Sequence, residues 1–346
     1  MNKPVLCFRK EGFFRILMVS DFHSTKNANL PRDYSDKMLA GLDALLDESK
    51  PDFVMIGGDQ CITANDIQSA EAEMRRLIAP IIERKLPWSA VFGNHDNEMG
   101  IPCTEEEKAY VNIEGCLNQI NNEGIEGAGN YVIPVMNSEG NEIAFNIFAL
   151  DSHRELTDLV PKFGLKEGIR ILMPRHFNDG QTGRMPDFEQ VMWYYAKSKE
   201  AEAKAGHKIP AVMFMHIPIP EYLTILRNPE LCDAVGNKRE TVGCTEINSG
   251  LFYACLQRGD VKGIFFGHEH LCDIQGEYMG ITMAQDAALG YNMSAHDDLR
   301  GGRVIDLFCD GTVQTHTLKL IDLLGKKAMR REDYFEGGCK YFIRDL

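Results

Sequence analysis

No stretch of the 346-residue chain approaches the ~20 consecutive apolar residues that a membrane-spanning helix requires, so no membrane association is expected. A signal-peptide core is also missing. Lys3, Arg9, Lys10, Glu11 and Arg15 interrupt the short apolar pieces at the N-terminus, although a chain already trimmed of a leader would read the same. Basic charge is in deficit, with 37 lysines and arginines against 51 aspartates and glutamates, a net charge of −14. That balance lacks the basic footprint of a nucleic-acid or anionic-membrane binder. The ten cysteines contain no C-x-x-C pair, and without an export signal they are expected to be reduced thiols of a cytoplasmic protein. Repeats, low-complexity tracts and linkers are absent, which leaves a single domain over residues 1–346 as the expectation. With 44% hydrophobic and 25% charged residues, the chain has the composition of a globular protein with a sizeable core.

What the chain does have is a series of short apolar runs that end alike. Phe14–Ser20 runs into Asp21-Phe22-His23, Phe53–Ile56 into Gly57-Gly58-Asp59, and Trp88–Phe92 into Gly93-Asn94-His95-Asp96. Further on, Ile143–Leu150 ends in Asp151-Ser152-His153, Ala211–Met215 in His216, and Lys262–Phe266 in Gly267-His268-Glu269-His270. Runs of this length and apolarity are strands covered on both faces. Helical spacing of Met38, Leu39, Leu42, Leu45 and Leu46 predicts a helix from Asp33 to Lys50, making a right-handed βαβ unit that sets Asp59 beside Asp21 on one sheet edge. A second helix is expected from Asp66 to Lys85. A third is expected from Thr104 to Asn121, with Thr104 as N-cap and Glu107 completing a capping box. Tyr131–Met136 and Ile143–Leu150 read as a hairpin in a second sheet, and residues 187–204 as a helix closed by Gly206. Ile281–Gln285, Arg303–Cys309 and Thr312–Leu318 read as short strands closing a sheet. The irregular segment 154–187, punctuated by proline and glycine, is a candidate substrate-side loop.

Taken singly, each exit has a bland explanation. An Asp-x-His is usually a solvated loop, a lone histidine after a strand is usually structural, and buried Cys61 and Cys272 are small hydrophobes by default. Five exits carrying metal-type residues, at Asp21, Asp59, Asn94, His216 and His268, are a different matter, because open α/β sheets place their chemistry at that edge. The asparagine oxygen can be a neutral ligand, the His95 imidazole can donate a proton, and the Asp96 carboxylate can hold that imidazole in one tautomer.

In order and spacing, Asp21-x-His23, Gly58-Asp59, Gly93-Asn94-His95-Asp96, His216 and Gly267-His268-x-His270 resemble the calcineurin-like metallophosphoesterases. Asp151-Ser152, Gln190-x-x-Trp193 and His216-Ile-Pro-Ile-Pro-Glu221 are similar to a purple-acid-phosphatase-like subgroup. The metal-ligand tyrosine of true purple acid phosphatases is replaced here by Ile62, and His23 is added. The resemblance implies an α/β fold, a four-layer αββα sandwich with two metal ions at the sheet edge. Asp21, His23, Asp59 and His270 would hold one ion; Asn94, His216, His268 and the shared Asp59 would hold the other. His95 would face the substrate with Asp96 behind it, and Asn94, His95 and His153 would touch substrate. His153 is read in preference as a strand-end histidine satisfied by backbone, and Tyr222, Tyr291, Asn292, His296 and Arg300 are weaker pocket candidates.

Mixed His, Asp and Asn ligands suit two divalent Mn, Fe or Zn ions better than Ca or Mg. Two such ions, the charges of Asp21 and Asp59 and a bridging hydroxide sum to about +1, which attracts phosphate despite the acidic chain. In-line attack of that hydroxide on a phosphate ester, with His95 protonating the leaving oxygen, is the expected reaction. The expected substrate is a small phosphomonoester. The alternatives are a phosphodiesterase, cyclic nucleotides included, and a non-catalytic, metal-stabilised interaction module on the same fold.

Overall fold

The computed structural model describes residues 3–24, 34–98, 100–120, 124–153, 185–244, 247–293 and 295–330. Their strands are β1 Leu6–Cys7, β2 Phe13–Val19, β3 Phe53–Ile56, β4 Trp88–Ala90, β5 Tyr131–Met136, β6 Ile143–Ala149, β7 Ala211–Met215, β8 Val261–Phe266, β9 Gln275–Tyr278, β10 Ile281–Gln285, β11 Gly301–Phe308 and β12 Val313–Lys319. The helices are α1 Ser35–Ser49, α2 Ile67–Leu77, α3 Ala79–Glu83, α4 Cys103–Tyr110, α5 Phe188–Ala205, α6 Tyr222–Arg227, α7 Leu251–Arg258 and α8 Leu320–Leu324.

Two sheets form, one in the order β12-β11-β2-β3-β4 and the other β1-β5-β6-β7-β8-β10-β9. β2, β3 and β4 are parallel, as are β6, β7, β8 and β10, so their C-terminal ends share one edge. The layers follow from the two-residue period of a strand. On β2, Ile16 and Met18 face a core shared with Val212 and Phe214 of β7, while Leu17 and Val19 face the helices carrying Leu42, Met74 and Tyr110. On β7, Met213 and Met215 turn the other way, toward Tyr194 of α5 and Cys255 of α7. Helices, sheet, sheet, helices is the four-layer αββα sandwich, and none of the helices among the described residues is long and apolar enough to cross a membrane.

Four expectations about elements change. The expected 66–85 helix is two helices, because Pro80 lacks an amide and its ring crowds the carbonyl four residues back; Asp66 caps the first through Ser69. The helix expected from Thr104 runs only over Cys103–Tyr110 after Pro102, and no capping box forms. Glu107 is buried and accepts the Gly129 amide at 2.9 Å, while Asn118 brackets Ala90 with two bonds that tie the following chain to β4. The last strands do not close one sheet: β10 joins the seven-stranded sheet, whereas β11 and β12 extend the five-stranded one beside β2. α1 starts at Ser35, and the 154–187 loop lies outside the described residues up to 184, His176 included.

Candidate metal centre

The exits of β2, β3 and β4 from one sheet and of β7 and β8 from the other converge across the sandwich. Backbone bonds lace the first two exits together: Asp21, His23 and Ser24 donate to the carbonyls of Gly58, Asp59 and Gln60 at 3.0–3.1 Å. The seven-stranded sheet joins them where His216 Nδ1 meets the Gly57 carbonyl at 2.8 Å. Gly58, at φ +100°, lies against the His216 ring, and a Cβ there would overlap its Cγ and Nδ1. A Cβ on Gly267 would stand 2.7 Å from the Gly57 oxygen and 3.0 Å from His216 Nδ1. Glycine is thus demanded by close approach of the two sheets. Asp21, His23, Asp59, Cys61 and His268 all hold positive φ, a left-handed backbone that side chains adopt at a cost of order 1–3 kcal/mol and that clusters at functional sites.

Four buried ligand atoms face one another with no hydrogen-bond partner: Asp21 Oδ1, His23 Nε2, Asp59 Oδ2 and His216 Nε2. Asp59 Oδ2 stands 3.4 Å from His23 Nε2 and 3.3 Å from His216 Nε2; Asp21 Oδ1 is 3.9 and 4.0 Å from the same two nitrogens and 3.4 Å from His270 Nε2. Ligands about 2.1 Å from a tetrahedral ion lie about 3.4 Å from each other, so the ring of atoms has the spacing of a cation cradle. The other atom of each carboxylate is spoken for: Asp21 Oδ2 accepts Ser20 Oγ–H at 2.6 Å and the His268 amide at 3.2 Å, and Asp59 Oδ1 accepts the His95 amide at 2.9 Å. Asp59 therefore serves both sides of the cradle, next to His23 and next to His216. A second grouping adjoins it, with His268 Nδ1 2.9 Å from Asn94 Oδ1 and the His268 ring edge-on to His216 at 5.2 Å. Seven residues expected as ligands, Asp21, His23, Asp59, Asn94, His216, His268 and His270, are brought to one place. Their chemistry, imidazole and carboxylate with one amide, fits divalent transition ions.

The electrostatics point the same way. Burial raises the Asp59 carboxyl, but His216 and His23 more than offset it and hold the group well below the usual carboxylate range. Burial lowers His216, yet Asp59 and Asp21 push it up to about 10. The carboxylates that raise His216 would attract a cation at the same place.

Asp96 does something other than expected. Its Oδ2 accepts the amides of Asp59 at 3.0 Å and Gly93 at 2.7 Å, and its Oδ1 accepts the Cys61 amide at 2.7 Å. The carboxylate clamps the β3 and β4 exits and is not bonded to the His95 ring. What meets His95 Nδ1 is Glu98 Oε2, at 3.0 Å, three residues on in a 3₁₀ turn over Asp96–Glu98. Sequence reasoning passed over Glu98; its signal was the three-residue spacing. The His95 ring lies 5.5 Å from that of His23.

His153, expected as a substrate contact, is turned into the structure: its Nε2 meets Gln190 Oε1 at 2.8 Å and its side chain is 6% exposed. Asp151 and Gln190 are likewise spent locally, on Ala128, His153 and Asn130, and Ser152 Oγ accepts the Ile217 amide to join the β6 and β7 exits. Tyr222 packs behind the sheet on Phe266, Tyr291 donates to the Ala328 carbonyl, and Arg300 is buried over the Tyr291 ring beside Asp297. Asn292 does reach the site, donating to the His23 carbonyl at 3.1 Å, and His296 Nδ1 lies 3.0 Å from Arg239. Cys61 Sγ stands 3.4 Å from His23 Nδ1, and Glu269 Oε1 accepts the Gly243 amide while lying 3.9 Å from His268 Nε2.

The profile of the calcineurin-like phosphoesterases matches residues 14–272. Probable inactive purple acid phosphatases 14 and 29 of Arabidopsis thaliana are 27% and 28% identical to the chain, each over 83% of it and over 73% and 74% of their own lengths. Phosphatase DCR2 of Saccharomyces cerevisiae is 25% identical over 76% of the chain, which spans 45% of that relative. A dimetal phosphatase from Danio rerio superposes with a TM-score of 0.50 at 12% identity, covering 88% of this chain and 98% of its own, a likeness of fold. A profile match that takes in every exit from Asp21 to His270 settles the membership: the chain belongs to the calcineurin-like phosphoesterase family.

Proposed function

We propose that the chain is a dinuclear-metal phosphoesterase acting on a small phosphorylated molecule, in the first place a phosphomonoester. The observation that carries this is the set of four orphaned, mutually facing atoms on Asp21, His23, Asp59 and His216, which a cation satisfies and hydrogen bonding does not. Asp21, His23, Asp59 and His270 would hold one divalent Mn, Fe or Zn ion, and Asp59, Asn94, His216 and His268 the other. Bound there, the pair supplies Lewis acidity to the phosphoryl oxygens and lowers the pKa of an attacking water. The chain supplies the rest. Asp96 fixes the loops that aim Asp59 and Asn94, and His95, 33% exposed at the rim, delivers a proton to the leaving oxygen through Nε2. The net charge of −14 favours a compact phosphorylated substrate over a polynucleotide. All nine cysteines among the described residues are thiols, which suits a reducing, cytoplasmic setting.

A second reading has its own support. Relatives of this chain carry names that call them probably inactive, which suits a protein that keeps the metals for stability and binds a partner. Metal analysis with turnover of p-nitrophenyl phosphate and bis(p-nitrophenyl) phosphate by manganese-loaded protein separates the possibilities. Two ions per chain with faster monoester turnover supports the proposal. Faster diester turnover moves the assignment to a phosphodiesterase, and bound metal without turnover of either ester supports the module.

A further inference from the structure

Resting on the hydrolase assignment above, we propose that Glu98 is the positioning residue of His95, selecting Nε2 as the nitrogen that serves the leaving group. The carboxylate expected in that role, Asp96, has both oxygens engaged by three backbone amides. Glu98 Oε2 is 3.0 Å from His95 Nδ1, and the Glu98 amide closes the intervening turn on the His95 carbonyl at 3.1 Å, so the contact is built into the local fold. The other end of His95 is pinned as well, its amide donating to Asp59 Oδ1. An imidazole held at its main chain and at Nδ1 has one free nitrogen left, Nε2. Both side chains lie at the rim, 33% and 30% exposed, where substrate can reach the ring.

The carboxylate accepts from Nδ1–H, which keeps the neutral ring in a single tautomer and leaves Nε2 for the substrate. The balance closes without another reactant. A water oxygen bonds to phosphorus, and the P–O bond to the leaving group breaks with its electron pair going to that oxygen. The oxygen takes the Nε2 proton, the water's proton passes to solvent, and solvent reprotonates His95.

The test combines imidazole ¹⁵N spectra with a leaving-group series on the full chain, comparing wild type, E98Q, E98A, H95A and the H95A/E98A double variant. Wild-type neutral His95 is expected to carry its proton on Nδ1, and E98A to shift toward the mixed tautomers of free imidazole. kcat should fall about tenfold to a hundredfold in E98A with KM little changed. The fall should be steeper for an alkyl phosphate than for p-nitrophenyl phosphate, whose leaving group needs no acid. E98Q, whose amide oxygen still accepts from Nδ1, should recover part of the loss, and E98A should add nothing in the H95A background. A wild-type tautomer and wild-type leaving-group dependence in E98A would overturn the role. Should wild type hydrolyse no phosphate ester at all, the hydrolase assignment fails, while the tautomer spectra still decide whether Glu98 sets the His95 proton.

Discussion

The carboxylate of Asp96 holds the main chain of Asp59, at 3.0 Å from its amide, although the two carboxyl groups repel one another. Burial and that repulsion push the Asp96 carboxyl up to about 7, against the pull of the Cys61 and Gly93 amides. The contact survives because Asp96 is the shared acceptor for both loops. Asp96→Ala leaves three buried amides without an acceptor, each costing ~1–3 kcal/mol, so unfolding free energy should fall by about 3 kcal/mol or more. Denaturant unfolding of metal-free protein reads this directly. A variant as stable as wild type would show that the clamp is dispensable.

Removing the proposed proton donor should separate metal binding from chemistry. His95→Ala is expected to keep both ions while turnover drops roughly 10²–10⁴-fold, the usual contribution of a positioned acid. Metal content by atomic emission and kcat on the same preparation provide the check, and loss of the ions would place His95 in the cradle instead.

Asp59 faces His23 on one side and His216 on the other, so both ions should depend on it. Asp59→Asn is expected to lose the two metals and the activity together. Two ions still bound per chain by calorimetric titration would refute the shared position.

The contact of Gly58 with the His216 ring makes a prediction about packing. Gly58→Ala adds a Cβ where the ring lies and places alanine at φ +100°. The variant should fold with lower stability, by about 1–3 kcal/mol, and bind metal more weakly because His216 is displaced. Unchanged metal affinity would mean that the ring can retreat at no cost to the cradle.

Glu106 gives the molecule a pH dependence away from the ligands. Burial, then the charge of Asp96, raises its carboxyl from 4.5 to about 9, so the folded chain keeps a proton that the unfolded chain gives up. The stability linked to this group is complete below the lower value and is lost as pH rises toward the upper one. Glu106→Gln retains an acceptor for the Tyr110 hydroxyl, 3.2 Å away, without a charge to bury. Between about pH 5 and about pH 8 the Tm of metal-free wild type should fall relative to that of Glu106→Gln. Parallel melting curves across that range would show that the acid is not held neutral.

The family and most of the candidate site were legible because they are local: an apolar run, a glycine and one or two metal-type side chains at each strand exit, repeated in order. The helix at Ser35–Ser49 and the β5–β6 hairpin were legible for the same reason, since period and turn residues sit within a few positions of each other. The short helix after Pro102 was misjudged because Glu107 and Asn118 are held by partners at Gly129 and Ala90, and no local pattern announces a contact 22 or 28 residues away.

Sequence by itself determined which residue types stand at the ends of the strands, and hence what chemistry the edge can support. Tertiary structure decided what each one does there. Asp96, His153 and Gln190 look like site residues in one dimension, yet they are used up by backbone amides or by one another. Glu98 carries no motif and still meets His95. The physical reason is that a hydrogen bond is settled by distance and direction, which depend on how the loops leave their strands and how closely the two sheets approach through Gly57, Gly58 and Gly267.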